Sequence, residues 1–133
     1  MANEMVLVAE DDPASRLVLV HALEVAGFRV AAAQDGHEAL QLLNERAGEV
    51  DAIITDCFMP EIDGLKLAKL VRERYPRRMP IVMVTSLEYS LAPELLCENG
   101  IDYVVGKPFS PKAICKLIRD IVADRTTQGS PAK

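Results

Sequence analysis

The chain has 133 residues, 15 of them basic and 20 acidic, for a net charge of −5 with the histidines neutral. That length fits one domain, and a 50% hydrophobic content is enough to build a core at this size. No apolar run approaches the roughly 18–20 residues that span a bilayer, no basic-then-apolar leader marks secretion, and the mild acidity speaks against binding nucleic acid by phosphate neutralisation, so neither a membrane nor a nucleic-acid partner is expected.

The elements alternate along the chain. Residues 5–9 form a short apolar run rich in β-branched side chains, and Asp12-Pro13 then offers a capping carboxylate ahead of a proline at the first helical position. Leu17, Val18 and Leu23 belong to the helix that follows, which Gly27 stops. Residues 28–32 are the second run, and Asp35-Gly36 opens a helix carrying Leu40 and Leu43. Residues 52–55 are the third run, and Asp63-Gly64 opens a helix carrying Leu67, Leu70 and Val71. Arg72, Arg74, Arg77 and Arg78 gather at the end of that helix, where positive charge suits its negative terminus without any partner.

Residues 80–85 are the fourth run. The helix expected over residues 87–99 contains Pro93, and an interior proline costs about 3 kcal/mol. That helix therefore either starts near Pro93 and is short, or is kinked there; Gly100 stops it. After the fifth run, residues 102–105, Ile114, Leu117, Ile118 and Ile121 recur at helical spacing. Residues 124–133 lack apolar side chains able to pack, which predicts a domain over residues 1–123 and a flexible tail or linker over 124–133.

The starts of the five runs are separated by 23, 24, 28 and 22 residues, the rhythm of right-handed βαβ crossovers. The central runs are continuously apolar, as parallel strands covered on both faces are. The expectation is an α/β fold, a doubly wound (βα)5 sandwich with strand order 2-1-3-4-5, flavodoxin-like. Cys57, Cys97 and Cys115 form neither a CxxC nor a zinc pattern and are expected as reduced, buried thiols of a cytoplasmic protein.

In such a sheet, ligands collect beyond the carboxyl ends of the strands. Glu10, Asp11 and Asp12 follow the first strand, Asp56 ends the third, Thr85-Ser86 end the fourth, and Gly106-Lys107-Pro108-Phe109 follow the fifth. Each has an ordinary explanation alone: a helix cap, a loop cap, a strand-end hydroxyl, a solvated lysine. Their joint placement does not. Carboxylates converging on one crevice repel and raise one another's pKa, and a hard cation such as Mg²⁺ relieves this with oxygen ligands. A hydroxyl and an ammonium opposite can bind phosphoryl oxygens. That is chemistry for phosphoryl transfer to an aspartate.

Four segments, Val6-Leu-Val-Ala-Glu-Asp-Asp-Pro13, Thr55-Asp-Cys-Phe-Met-Pro-Glu-Ile-Asp-Gly64, Ile81-Val-Met-Val-Thr-Ser86 and Lys107-Pro-Phe109, make residues 4–123 resemble the receiver domain of two-component response regulators. The resemblance implies a signalling switch in which Asp56 accepts a phosphoryl group from a histidine kinase or histidine phosphotransfer protein. Asp11, Asp56 and the backbone carbonyl of Phe58 would bind Mg²⁺, with Glu10 acting through a water and Asp12 left as a helix cap. The gap from Asp11 to Arg16 sets that assignment. Thr85 would bond the phosphoryl oxygen, Lys107 would pair with the acceptor and then the phosphoryl group, and Lys107-Pro108 would be a cis peptide.

Three departures stand out. Val104 occupies the position of the usual switch aromatic, with Tyr103 one residue earlier and on the other face of the strand. Pro93 disturbs the fourth helix, and the positions that could orient a hydrolytic water hold Phe58 and Leu87, which predicts slow loss of the phosphoryl group. The chain is read as regulatory, catalysing at most its own phosphorylation and dephosphorylation. The alternatives are a degenerate receiver that binds partners without phosphorylation, or an aspartate-nucleophile phosphatase, which Phe58 disfavours for want of a second acid. The starting methionine favours a stand-alone regulator and the Thr/Gln/Gly/Ser/Pro tail a linker; kinase, downstream target and oligomeric state stay open.

Overall fold

The computed structural model describes residues 4–46, 48–75, 79–86 and 92–128. Five strands alternate with five helices: β1 (Met5–Ala9), α1 (Pro13–Val25), β2 (Arg29–Ala33), α2 (Gly36–Arg46), β3 (Val50–Asp56), α3 (Gly64–Arg74), β4 (Ile81–Ser86), α4 (Pro93–Glu98), β5 (Tyr103–Lys107) and α5 (Pro111–Gln128). All strand pairs are parallel, in the order β2-β1-β3-β4-β5. The doubly wound architecture expected from the sequence is the one observed.

Every residue of β1 is buried, as is nearly all of β3 and β4, because helices cover both faces. One face packs Leu7, Ile53, Met83, Leu43 and Leu67 beneath α2 and α3. The other packs Val6, Ile54, Val84, Leu23 and Ile118 beneath α1 and α5. Burial of this kind stabilises by about 25 cal/mol per Å² of apolar surface. Among the described residues, no helix is long and apolar enough to cross a membrane.

The caps follow the sequence. Asp12 accepts from the Ser15 N–H at 2.9 Å, Asp35 from Glu38 at 2.8 Å and Asp63 from Lys66 at 2.8 Å. Gly27 and Gly100 adopt positive φ, 101° and 81°, at the ends of α1 and α4.

Several expectations change. Leu19 and Leu23 are the buried residues of α1, whereas Leu17 and Val18 face solvent, because apolar residues run all round this helix and only one stripe meets the sheet. The choice at Pro93 resolves to a start: α4 is six residues long and buries none of them. Cys97 therefore lies exposed, while Cys57 and Cys115 are buried; all three are free. Arg72 is not merely a charge at the end of α3. Its guanidinium donates to the carbonyls of Met79 (2.8 Å) and Gly100 (2.7 Å) and to Asp102 (2.8 Å), tying α3 to the starts of β4 and β5. Arg77 and Arg78 lie outside the described residues. α5 continues through Gln128, so residues 124–128 of the expected tail are helical.

Candidate functional site

The site forms where β1, β3, β4 and β5 end together. Beyond β1, the Asp12 N–H donates to Glu10 Oε2 at 3.1 Å, which fixes the Glu10 carboxylate within the loop that leads to α1. Arg16 on the first turns of α1 donates to the Glu10 carbonyl at 2.8 Å and fixes the loop from behind. Asp12 is thereby committed to capping α1, and that contact with Ser15 holds its carboxyl below the usual range. Glu10, Asp11 and Asp56 converge, with one carboxylate oxygen from each within 4.8 Å of the others.

Asp56 is the last residue of β3. Its Oδ1 accepts from the Cys57 N–H at 3.0 Å and from Lys107 Nζ at 3.0 Å, which orients the carboxylate and leaves Oδ2 without a hydrogen bond among the described residues. Lys107 closes β5 rather than following it, and its ammonium also lies 3.5 Å from Glu10 Oε1. Burial pushes the Glu10 and Asp56 carboxyls above their ordinary values, and neighbouring acids add to this. Burial pulls Lys107 down, but its hydrogen bond to Asp56 and the charges of Asp56 and Glu10 win, and its pKa is raised. One ammonium thus offsets two buried carboxylates. The donor set is all oxygen and carries excess negative charge, which fits a hard divalent cation such as Mg²⁺ rather than a zinc site.

Thr85 is the penultimate residue of β4, buried, and its hydroxyl has no hydrogen-bond partner among the described residues. Phe58 lies on the loop two residues past Asp56 with its side chain half exposed, and Leu87 lies outside the described residues. Val104 and Tyr103 are both about half exposed on β5. Val105 packs with α1 and α5, so alternation gives Tyr103 that face and Val104 the opposite one. The Lys107-Pro108 peptide is cis.

Three features escaped the sequence reading. Gly64 does more than open α3: a Cβ there would collide with the Asp56 carbonyl and press on Cys57, so the helix start and the end of β3 touch backbone to backbone. The Gly64 N–H donates to the Cys57 carbonyl at 2.8 Å across this contact. His37, for which the sequence suggests no carboxylate partner at ligand spacing, pairs with Glu61, 24 residues away, at 2.7 Å. Cys57 faces the core, as alternation suggests, and there it meets Thr85. The only signal for that contact is the strand register, invisible in a single sequence.

Residues 6–119 match the model of the response regulator receiver domain family. The chain is 33% identical over 117 residues to the sensor kinase CckA of Brucella abortus (strain 2308), covering 88% of this chain and 12% of that protein. It is 31% identical over 120 residues to the alkaline phosphatase synthesis transcriptional regulatory protein PhoP of Bacillus subtilis (strain 168), covering 90% of this chain and 49% of that one. The chain thus spans half or less of these curated relatives. Among solved structures, the Vibrio cholerae chemotaxis protein CheY4 is 31% identical with a TM-score of 0.79, covering 90% of this chain and 98% of that one. A receiver domain from Clostridium thermocellum shares the fold with a TM-score of 0.85 at 21% identity, over 94% and 98% of the two chains. With four short motifs meeting at one end of the sheet, and a family match over nearly the whole domain, this chain belongs to the response regulator receiver domains of two-component signalling systems.

Proposed function

We propose that Asp56 is the phosphoacceptor of a Mg²⁺-dependent switch, charged by a histidine kinase or a histidine phosphotransfer protein in the cytoplasm. The observation that carries this reading is Lys107 Nζ set between Asp56 Oδ1 (3.0 Å) and Glu10 Oε1 (3.5 Å) beside the exposed Asp11. Asp56 Oδ2 attacks the phosphorus of an N-phosphohistidine. The P–N bond breaks, its electron pair stays on the imidazole nitrogen, and that nitrogen takes up a proton as it leaves. Lys107 passes from the carboxylate to a phosphoryl oxygen, and the Thr85 hydroxyl turns to donate to another. Asp11, Asp56 and the Phe58 carbonyl would hold Mg²⁺ directly and Glu10 through a water; the ion would supply positive charge against the phosphoryl oxygens.

The new charge on Asp56 biases a two-state equilibrium of the surface around it. Because Val104 offers no aromatic ring to swing, the rearrangement centres on Thr85. Superposable unphosphorylated and phosphoryl-mimic structures except around Thr85 would support this, and a large rearrangement of β5 would oppose it. Phe58 beside the acceptor carries no group to orient water, so the phosphoryl group should persist, and a half-life of seconds in Mg²⁺ buffer would contradict that.

Incubation with Mg²⁺ and acetyl phosphate tests the reading. The intact mass should rise by about 80 Da, one phosphoryl group, and should not rise in Asp56→Asn. Failure to gain mass with any donor would leave a receiver that binds partners without phosphorylation.

A further inference from the structure

Cys57 and Thr85 meet on the side of the sheet away from solvent. Asp56 pairs in register with Val84, and the Cys57 N–H donates to the Val84 carbonyl at 3.0 Å. One step further along, this parallel register brings Cys57 alongside Thr85, both on the face that carries Met83. Cys57 is 2% exposed and Thr85 7%. The buried Thr85 hydroxyl has no hydrogen-bond partner among the described residues, and the register sets the Cys57 thiol beside it. A buried hydroxyl without a partner is unfavourable, and a thiol is only a weak donor and acceptor. Their contact is therefore a loose one, and a loose contact is easily exchanged for a phosphoryl oxygen.

We infer that Cys57 is a positioning residue: its thiol sets the resting orientation of the Thr85 hydroxyl, and so sets how readily Thr85 turns to a phosphoryl group on Asp56. The inference rests on the phosphoacceptor reading of Asp56. It assigns the residue beside the acceptor a second duty besides packing. With valine at position 104, coupling to Thr85 shifts from strand β5 to its neighbour across β3.

The residue at 57 can be graded. Serine would hold the Thr85 hydroxyl more firmly than cysteine, and alanine would release it. Phosphorylation by acetyl phosphate in excess Mg²⁺, followed by intact mass, should be fastest in Cys57→Ala, intermediate in the wild type and slowest in Cys57→Ser. The serine variant should be slowed about three- to tenfold, the scale of one hydrogen bond. In a Thr85→Val background the three residues at 57 should give rates within about twofold of one another, because the hydroxyl they act on is gone. The Thr85 methyl resonance of the unphosphorylated protein should also shift in Cys57→Ser, a change that lost packing elsewhere would not produce. Equal rates for cysteine and serine, or a grading that survives in Thr85→Val, would overturn the inference while leaving the phosphoacceptor reading intact. Absence of labelling in the wild type would overturn both. Cys57→Ser alone decides the matter if Cys57→Ala does not fold.

Discussion

The two flanks of the sheet are secured to different degrees. Around β1 and β3 the groups that shape the site are held: Asp12 by Ser15, the Glu10 carbonyl by Arg16, Asp56 by Cys57 and Lys107, and the loop beyond it by Gly64. Along α4 and β5 the cover is thin. Among the described residues, α4 buries no side chain, Tyr103 and Val104 at the start of β5 are 44% and 45% exposed, and the buried Thr85 hydroxyl of β4 has no hydrogen bond. Arg72 ties the chain just ahead of β4 and β5 to α3, but among those residues nothing comparable braces the rest of β5 apart from Lys107. On the proposed mechanism, the acids that would hold the ion thus sit in the braced half, and Thr85, which would turn to the phosphoryl group, sits in the other. Low local stability is where switching elements are drawn from.

Substitutions can break this contrast. Gly64→Ala should have the largest effect, because the added methyl group would occupy the space of the Asp56 carbonyl in the braced half. A loss of about 3 kcal/mol or more is expected, read by urea denaturation. Arg72→Ala should follow, at about 2–3 kcal/mol, since it removes one ion pair of the partly buried Asp102 and the donors to two carbonyls.

Ligands and pH sharpen the contrast without altering the fold. Mg²⁺ at tenfold excess over its Kd should stabilise the wild type by about 1.4 kcal/mol, about 5 °C in Tm, and should do so far less in Asp11→Asn or Asp56→Asn. In the metal-free protein, Glu10 and Asp56 bind protons more tightly when folded, because burial raises both above 4.5 and 3.8. Their stabilising contribution is complete below those ordinary values and is lost as pH rises through the folded ones. Tm should therefore rise as pH falls from neutral toward the ordinary carboxylate range without metal, and Asp56→Asn should flatten that slope. The smallest effect is expected at the exposed His37–Glu61 pair, where Glu61→Gln should change stability by less than about 0.5 kcal/mol and leave labelling of Asp56 unchanged.

Much of this was legible in the sequence because it rests on local rules. Asp12, Asp35 and Asp63 announce their helices, and the spacing of apolar runs gives a parallel sheet whose strand order brings Glu10, Asp11 and Asp56 together. What was not legible depends on tertiary contact. Leu17 and Leu19 look alike in a helix that is apolar all round, and only packing decides that one is exposed and the other buried. Arg72 reads as a helix-end charge until its reach to Gly100 and Asp102, 28 and 30 residues away, is seen. The length of α5 was underestimated because its last turn has no apolar stripe to reveal it.

Two glycines packed against the loop from Cys57 to Asp63 bear on how this domain can diversify. A side chain at Gly36, at the start of α2, would run into Ile62 at 2.6 Å, and one at Gly64 into the Asp56 backbone. The loop is therefore crowded from α2 and α3, and Cys57, Met59 and Ile62 are anchored in the core. Phe58, Pro60 and Glu61 are the exposed positions of that stretch, although the positive φ of 66° at Glu61 narrows its choices toward glycine or asparagine. A saturation library across the loop should return most of its tolerated variation at Phe58 and Pro60, and on the phosphoacceptor reading Phe58, two residues past Asp56, is where partner choice and phosphoryl lifetime would be tuned among descendants of this sequence.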